Sequence, residues 1–351
     1  MCDLFGVFCI SFILTVIKIP IIIDYCDWFE LYDDLEFHRK CHGLGTSRLG
    51  GVAIFSAFML SMLLLLNIQN DEVVALLIST GVVFFIGLKD DILGGVLPVE
   101  KVQVQFLAAV VLVFIGDYKI TSMYGLFGIY ELSELSAAVL SIGTVVFVVN
   151  AFNFIDGVDG LAGTIGFIVN ISFGILFLKL GNTTMALVSF GITGAIAGFL
   201  RYNFVSGTVF MGDGGSMLIG LISISSALRF LTLNGQNVLD ADIADLSPAI
   251  ALAILIVPVF DGIRVILLRL SRGKSPFAGD KNHIHHKLKF LGFSDVSIVL
   301  ILACFNVWIL ILAFSLSFLN ITELIGVLFC VCIIFNIWIT YKKRKKKLIP
   351  M

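Results

Sequence analysis

The sequence predicts an all-α integral membrane protein, a polytopic bundle of about eleven transmembrane helices with its N-terminus outside and its C-terminus cytoplasmic. Three observations predict it. Of 351 residues, 59% are hydrophobic and only 14% charged, where soluble domains run at about 45–50% apolar and about 25% charged. The chain carries 32 Phe and 33 Gly but only 6 Pro, a composition suited to helices packed closely in lipid. Apolar runs long enough to span a bilayer core recur along the whole chain. Together these exclude a soluble enzyme, a disordered tail and a secreted disulfide scaffold. The 7 Cys show no paired metal-ligand spacing and read as small core or lipid-facing residues.

The spans follow in order. The first, roughly 4–23, is not expected to be a cleaved signal peptide, since it lacks a basic leader, carries Asp3 and reaches full spanning length. The second and third, roughly 51–68 and 73–88, lead to Lys89-Asp90-Asp91. The fourth and fifth, roughly 102–116 and 136–151, lead into a turn rich in Asn and Asp, which the sixth, roughly 161–180, leaves. The seventh and eighth, roughly 184–200 and 216–233, flank Phe210-Met211-Gly212-Asp213. The ninth, roughly 248–268, holds Asp261 and Arg264 toward one end. The tenth and eleventh, roughly 295–316 and 321–341, precede a basic tail.

Lysine and arginine give the orientation. Loops after odd-numbered spans hold Arg39, Lys40, Arg48, Lys89, Lys101, Arg201, Arg269, Arg272, Lys274, Lys281, Lys287 and Lys289, whereas those after even-numbered spans contribute only Lys119 and Lys179. The odd-side loops are therefore expected in the cytoplasm. No composition break or fixed-period repeat divides the chain, so residues 1–351 read as a single polytopic domain whose 342–351 segment is a basic cytoplasmic tail. That tail reads as a topology anchor drawn to anionic lipid headgroups.

Four polar groups interrupt this apolar background at the ends of odd-numbered spans, where charge next to lipid needs a reason. The Asp90-Asp91 pair closes span three. Two adjacent carboxylates repel each other and oppose the helix macrodipole, which calls for a cationic partner. Asn150, Asn153, Asp156 and Asp159 recur every three residues beside Gly157 and Gly160, an amide and carboxylate face whose alternative is a capped glycine turn. Asp213 stands among Gly212, Gly214 and Gly215 ahead of Ser216, with Asn203 upstream. It suits an oxygen ligand to Mg²⁺, or a plain helix N-cap. His283, His285 and His286 follow a cationic loop. They lack the Cys or HExxH partners of a zinc site and suit a phosphate better, or a solvated positive loop. Alternating spans put all four groups on one face, where they are expected to converge.

At these residues the chain resembles the polyprenyl-phosphate N-acetylhexosamine-1-phosphate transferases of the glycosyltransferase family 4 type, nearest to the bacterial enzymes that use UDP-GlcNAc and undecaprenyl phosphate. The resemblance covers nearly the whole chain. It rests on Arg39-Lys40-Cys41-His42 with Gly50-Gly51, on Asp90-Asp91, on the run from Asn150 to Gly163, on Phe210-Met211-Gly212-Asp213, and on Ser275-Pro276-Phe277 with His283-Ile284-His285-His286. Thr46-Ser47-Arg48-Leu49 stands where the family usually has Pro before the glycine pair.

The resemblance implies transfer of a HexNAc-1-phosphate, GlcNAc first, from a UDP-sugar to polyprenyl phosphate with release of UMP, as the first membrane step of a surface glycan pathway such as that of O-antigen. It places the protein in a bacterial inner membrane with Mg²⁺ as cofactor and Mn²⁺ as its alternative. It implies no nucleic-acid partner. Family members often dimerise, so a homodimer is an open expectation. The carried-over roles make Asp213 the first Mg²⁺ ligand and Asn153 the second. Asp90, backed by Asp91, would hold or deprotonate the lipid phosphate. Asp156 would orient phosphates or metal-bound waters. Asp159 and Asn203 would bond the uracil, with Phe210 stacked on it, and Asn150 would bind substrate. Lys101, His283, His285, His286, Arg264 and Arg39 would contact phosphates, the three His as part of the catalytic set. The competing reading is a transporter or flippase for a lipid-linked sugar, which would release no UMP.

Overall fold

The computed structural model describes residues 2–29, 46–65, 70–204, 207–234, 245–275 and 282–348. Arg39 and the motif around it lie outside the described residues, as do Pro276 and Phe277. The described chain is helical apart from turns and two isolated bridges. In order the helices are α1 (Cys2–Phe29), α2 (Gly50–Leu65), α3 (Asp71–Leu93), α4 (Pro98–Phe114), α5 (Glu134–Ile155), α6 (Leu161–Lys179) and α7 (Thr183–Asn203). Then come α8 (Gly212–Asn234), α9 (Ser247–Ile254), α10 (Ile256–Leu270), α11 (Ile284–Leu291), α12 (Asp295–Ser315) and α13 (Ile321–Leu348).

Every predicted apolar stretch carries helix. Among the described residues, eight helices are long and apolar enough to cross a membrane, or nine if the bent α9–α10 pair is one span. The protein is thus a multi-pass membrane protein. α2 and α4, at 16 and 17 residues, fall short of the ~20 that a straight crossing takes.

Burial sorts the helices into a core and a rim. In α8, 83% of the apolar window is buried inside the bundle, against 22% in α1 and α13. α8 packs on α2, α3, α5, α6 and α7. Its glycine-rich start lets it sit close to its neighbours: a β-carbon on Gly87 of α3 would lie 2.5 Å from the Cα of Gly214. Only hydrogen fits there, so the end of α3 and the start of α8 are brought together.

One expectation needs correction. The ninth span is broken, with α9 and α10 meeting at 83°. Pro258 explains the break, since its missing N–H and its ring leave the carbonyl of Ile254 without a helical donor. Asn306 of α12 donates to that carbonyl instead, at 3.1 Å. α13 runs on as helix through the basic residues to Leu348. Lys346 Nζ there donates to the carbonyls of Phe290 and Leu291 at 3.2 and 2.9 Å, a cation at the negative end of α11.

Candidate active site

The ends of α3, α5 and α7 and the starts of α4, α6 and α8 gather at one end of the bundle. They enclose a cavity of about 430 Å³ whose wall includes Asp91, Asn153, Asp156, Asp159, Phe210 and Asp213. Its floor is fixed by backbone. Phe210 N–H donates to Ser47 O at 2.7 Å, and Gly50 and Gly51 N–H donate to Phe210 O and Met211 O at 3.0 and 2.9 Å. That pairing ties the segment before α2 to the segment before α8.

The adjacent carboxylates of Asp90 and Asp91 part to different partners. α3 extends through both residues and ends at Leu93, so they belong to its last turns and not to a following loop. Asp91 accepts from Asp213 N–H and Gly214 N–H at 2.8 and 2.9 Å, capping the positive end of α8. Asp90 accepts from Val96 N–H and from Lys101 Nζ, at 2.8 and 2.7 Å. Lys101 also donates to Asp213 Oδ2 at 2.5 Å, so one ammonium bridges Asp90 to Asp213. The cationic partner that the acidic pair called for is thus a lysine for one carboxylate and a helix N-terminus for the other. In place of backing Asp90, Asp91 holds the helix that carries Asp213.

The run after span five is divided by helix geometry. Asn150 points at α4, where its amide donates to Gln105 Oε1 at 2.5 Å. It does not line the cavity and serves as a strut between helices in place of the expected substrate contact. Asn153 does line it and donates to Ser216 Oγ at 3.0 Å. α5 ends at Ile155 with Asp156 as its C-cap. Burial pushes the Asp156 carboxyl well above the ordinary range, helped by the like charges of Asp213, Asp91 and Asp159. Asn203 lines the cavity, but its amide is engaged on both sides: it accepts from Gly160 N–H at 2.6 Å and donates to Val209 O at 2.9 Å. It thereby clamps two wall loops.

The histidines form a wall behind this turn and do not line the cavity. His283 and His285 stack with centroids 5.6 Å apart, and His285 lies 4.2 Å from His286. His285 Nε2 presses on Gly157, where a β-carbon would lie 2.6 Å away. Burial, then the charge of His286, pushes the His285 pKa down to about 3, so the ring is neutral at physiological pH. Arg264 donates to Asp261 Oδ1 and Asn282 O, both at 2.6 Å, and so braces the loop that carries the histidines.

Sequence reasoning missed several cavity groups. Arg48 lines the wall, signalled only by its place beside the glycine pair. Lys289 and Asp295 also line it, paired at 3.0 Å, and nothing in their sequence context marked them. Ser216, which joins Asn153 to the Asp213 backbone, was masked as an ordinary helix-start residue.

The donor set bears on a metal. Among the described residues, no group of three or more His, Cys, Asp or Glu is arranged to hold an ion. Mg²⁺ asks for less, typically one or two carboxylates with phosphates and water completing its octahedron. Asp213 and Asp156 both line the cavity, and after burial the like charges of Asp213, Asp91 and Asp159 raise the Asp156 carboxyl further. The residues present therefore fit a cation that arrives with phosphate.

Fold and cavity define a multi-pass helical membrane protein with an acidic, lysine-bridged pocket at one end of its bundle. Residues 73–231 match the family model described as glycosyl transferase family 4. The match contains the ends of α3, α5 and α7 and the start of α8, which are the elements that build the pocket. A decaprenyl-phosphate N-acetylglucosaminephosphotransferase of Mycobacterium tuberculosis is 39% identical over 133 residues, 37% of this chain and 32% of the relative. An undecaprenyl-phosphate alpha-N-acetylglucosaminyl 1-phosphate transferase of Salmonella typhi is 29% identical over 272 residues, 76% of this chain and 71% of the relative. The protein of that name from Escherichia coli is 35% identical over 119 residues, 33% of this chain and 30% of the relative. The chain thus spans about a third of the length of the mycobacterial and E. coli relatives over the matched segments.

Proposed function

We propose that the chain transfers a HexNAc-1-phosphate, GlcNAc first, from a UDP-sugar to a polyprenyl phosphate at the cytoplasmic face of a bacterial inner membrane. A lipid phosphate oxygen attacks the sugar-side phosphorus, the bond from that phosphorus to the bridging oxygen breaks, and the bridging oxygen leaves with UMP. The product is polyprenyl-diphosphate-HexNAc. The carrying observation is the meeting of Asp91, Asn153, Asp156, Asp159 and Asp213 in one cavity, with Lys101 beside Asp213. The names of the relatives support the substrate class. In this reading the bundle crosses the bilayer eleven times, α2, α4 and the bent α9–α10 pair included, with the N-terminus outside.

The chemistry joins two anions, so positioning and charge neutralisation are the main tasks. Asp213 and Asp156 would hold Mg²⁺, with Asn153 beside them, and the ion when bound would neutralise the diphosphate. Lys101 holds Asp213 in place and bridges it to Asp90 at the end of α3. The second pKa of a phosphate monoester is near 6, so the attacking oxygen is ionised at about pH 7 without a dedicated base, and Asp90 serves to position. Asp159 and Phe210, also in the wall, face the space left for the nucleotide.

The test is a UMP-release assay on purified protein in lipid nanodiscs with UDP-GlcNAc, undecaprenyl phosphate and Mg²⁺. UMP must require all three, and Asp213→Asn must abolish its release while the protein still elutes as a folded species. Movement of a lipid-linked sugar with no UMP formed would establish the transporter reading instead.

A further inference from the structure

Behind the candidate site, α11 is capped from outside itself. It begins at Ile284, and its N-cap residue His283 supplies no side-chain bond to the helix end. Asp261 of α10 supplies one instead. Its Oδ1 accepts from Ile284 N–H at 3.1 Å and from Arg264 Nη2 at 2.6 Å, and its Oδ2 lies 2.7 Å from His283 Nδ1. Asp261 is 2% exposed and His283 4%, so water does not compete for these bonds. A carboxylate at this place also meets the positive end of α11.

These contacts determine where the imidazole hydrogen sits. Oδ1 takes both the guanidinium and the backbone N–H, and a carboxylate paired with a guanidinium is ionised, so Oδ2 is an acceptor as well and His283 Nδ1 must donate. The neutral ring then keeps its lone pair on Nε2. The ring itself is held between Phe154, one residue from Asn153, and His285, with centroids 5.6 Å away in each case.

We propose that Asp261 is a positioning residue for the transfer, setting the Nδ1–H tautomer and the orientation of His283 so that Nε2 is the acceptor of the ring. This rests on the transferase reading above. The contacts also say what an amide would do. In Asp261→Asn the single oxygen is claimed by its two donors, Arg264 and Ile284. The NH₂ must then face His283, whose Nδ1 can only accept, and the hydrogen moves to Nε2. The side chain keeps its shape and the fold keeps its cap, while the ring presents the opposite group.

The experiment records nitrogen and carbon spectra of histidine-labelled full-length protein in lipid bilayers, with His283→Gln used to assign the signal among the 5 His. The unsubstituted protein is expected to show His283 protonated at Nδ1, and Asp261→Asn to show it protonated at Nε2. In the UMP assay Asp261→Asn should lose roughly 10- to 100-fold in kcat with KM for the UDP-sugar little changed. A merely structural role would lower the thermal midpoint without moving the tautomer. The proposal is overturned if His283 Nδ1 is bare in the unsubstituted protein, a result that does not depend on Asp261→Asn folding. It is equally overturned if Asp261→Asn keeps the Nδ1–H form, or swaps tautomer with kcat unchanged. If the unsubstituted protein releases no UMP, the transferase reading fails, and with it the role in transfer, while the spectra still decide the hydrogen bond.

Discussion

Replacing Gly157 by Ala tests whether the histidine wall shapes the acidic cavity. The β-carbon would lie 2.6 Å from His285 Nε2, where ordinary contact begins at 3.4 Å, so something must shift by 3.4 − 2.6 = 0.8 Å. His285 is 2% exposed, stacked on His283 and tilted against His286, so the ring has no room to swing. The turn that carries Asp156 and Asp159 moves instead. Overpacking of this kind costs about 1–3 kcal/mol, and misplacing reacting groups by about 1 Å costs on the order of 100-fold in rate. Gly157→Ala should therefore unfold at lower temperature in detergent and release UMP roughly 10- to 100-fold more slowly. Because a clash is a pairwise effect, adding His285→Ala should restore part of the lost stability, a coupling of about 1–2 kcal/mol in a double-mutant cycle. Wild-type stability and turnover in Gly157→Ala, or strictly additive losses in the cycle, would refute the reasoning.

Four further outcomes follow from the same contacts. Lys101→Met removes the ammonium between Asp90 and Asp213, so Mn²⁺ binding followed by electron paramagnetic resonance should tighten while UMP release falls at least about tenfold; weaker metal binding would contradict the bridge. Asn203→Ala leaves Gly160 N–H and Val209 O without their partner, and the thermal midpoint should drop by the equivalent of about 1–3 kcal/mol, with a raised KM for the UDP-sugar. Acidification should destabilise the protein through His285. Its pKa falls from 6.5 when unfolded to about 3 when folded, so below pH 6.5 the unfolded chain binds a proton that the folded chain refuses. Stability is then whole above the unfolded value and falls by about 2 kcal/mol between pH 7.5 and 5, a slope that His285→Gln should flatten. Lys346→Gln removes the cation from the carbonyl end of α11, and amide exchange across 284–291 should quicken by a factor of a few, as for a loss of about 0.3–1 kcal/mol; unchanged exchange would show that α13 does not hold this helix.

The helices were legible because lipid imposes a length and a composition on each one, and among the described residues each apolar run carries helix, eight or nine of them long and apolar enough to cross a membrane. The bend was not. Pro258 removes a donor four residues back, but whether a chain kinks or breaks there depends on what satisfies the freed carbonyl, and Asn306 does so from 52 positions away. The polar residues divide in the same way. That Asp156, Asp159 and Asp213 share a cavity followed from sidedness alone. Which residues face that cavity did not follow, because a three-residue repeat on a helix of 100° per residue slips back by about 60° at every step. Asn150 therefore turns to Gln105 of α4, while Asn153 turns to Ser216 of α8. Spacing reports a residue's own helix face, and the role is decided by the partner that face meets.

That distinction also explains why the most polar motif of the sequence lies outside the cavity. His285 and His286 sit on a helix of 8 residues, with His283 as its N-cap residue, that is too short to hold itself in place. Asp261 meets it at the N-terminal end and Lys346 at the C-terminal end, opposite charges set to oppose the two ends of its dipole. One comes from the broken ninth span and the other from the helical extension of the last. The break in the ninth span and the helical run of α13 through the basic residues thus converge on the same small helix. A straight ninth span, or an α13 that stopped at the lipid boundary, would leave it without one of its holders, and Gly157 would have no imidazole to rest against.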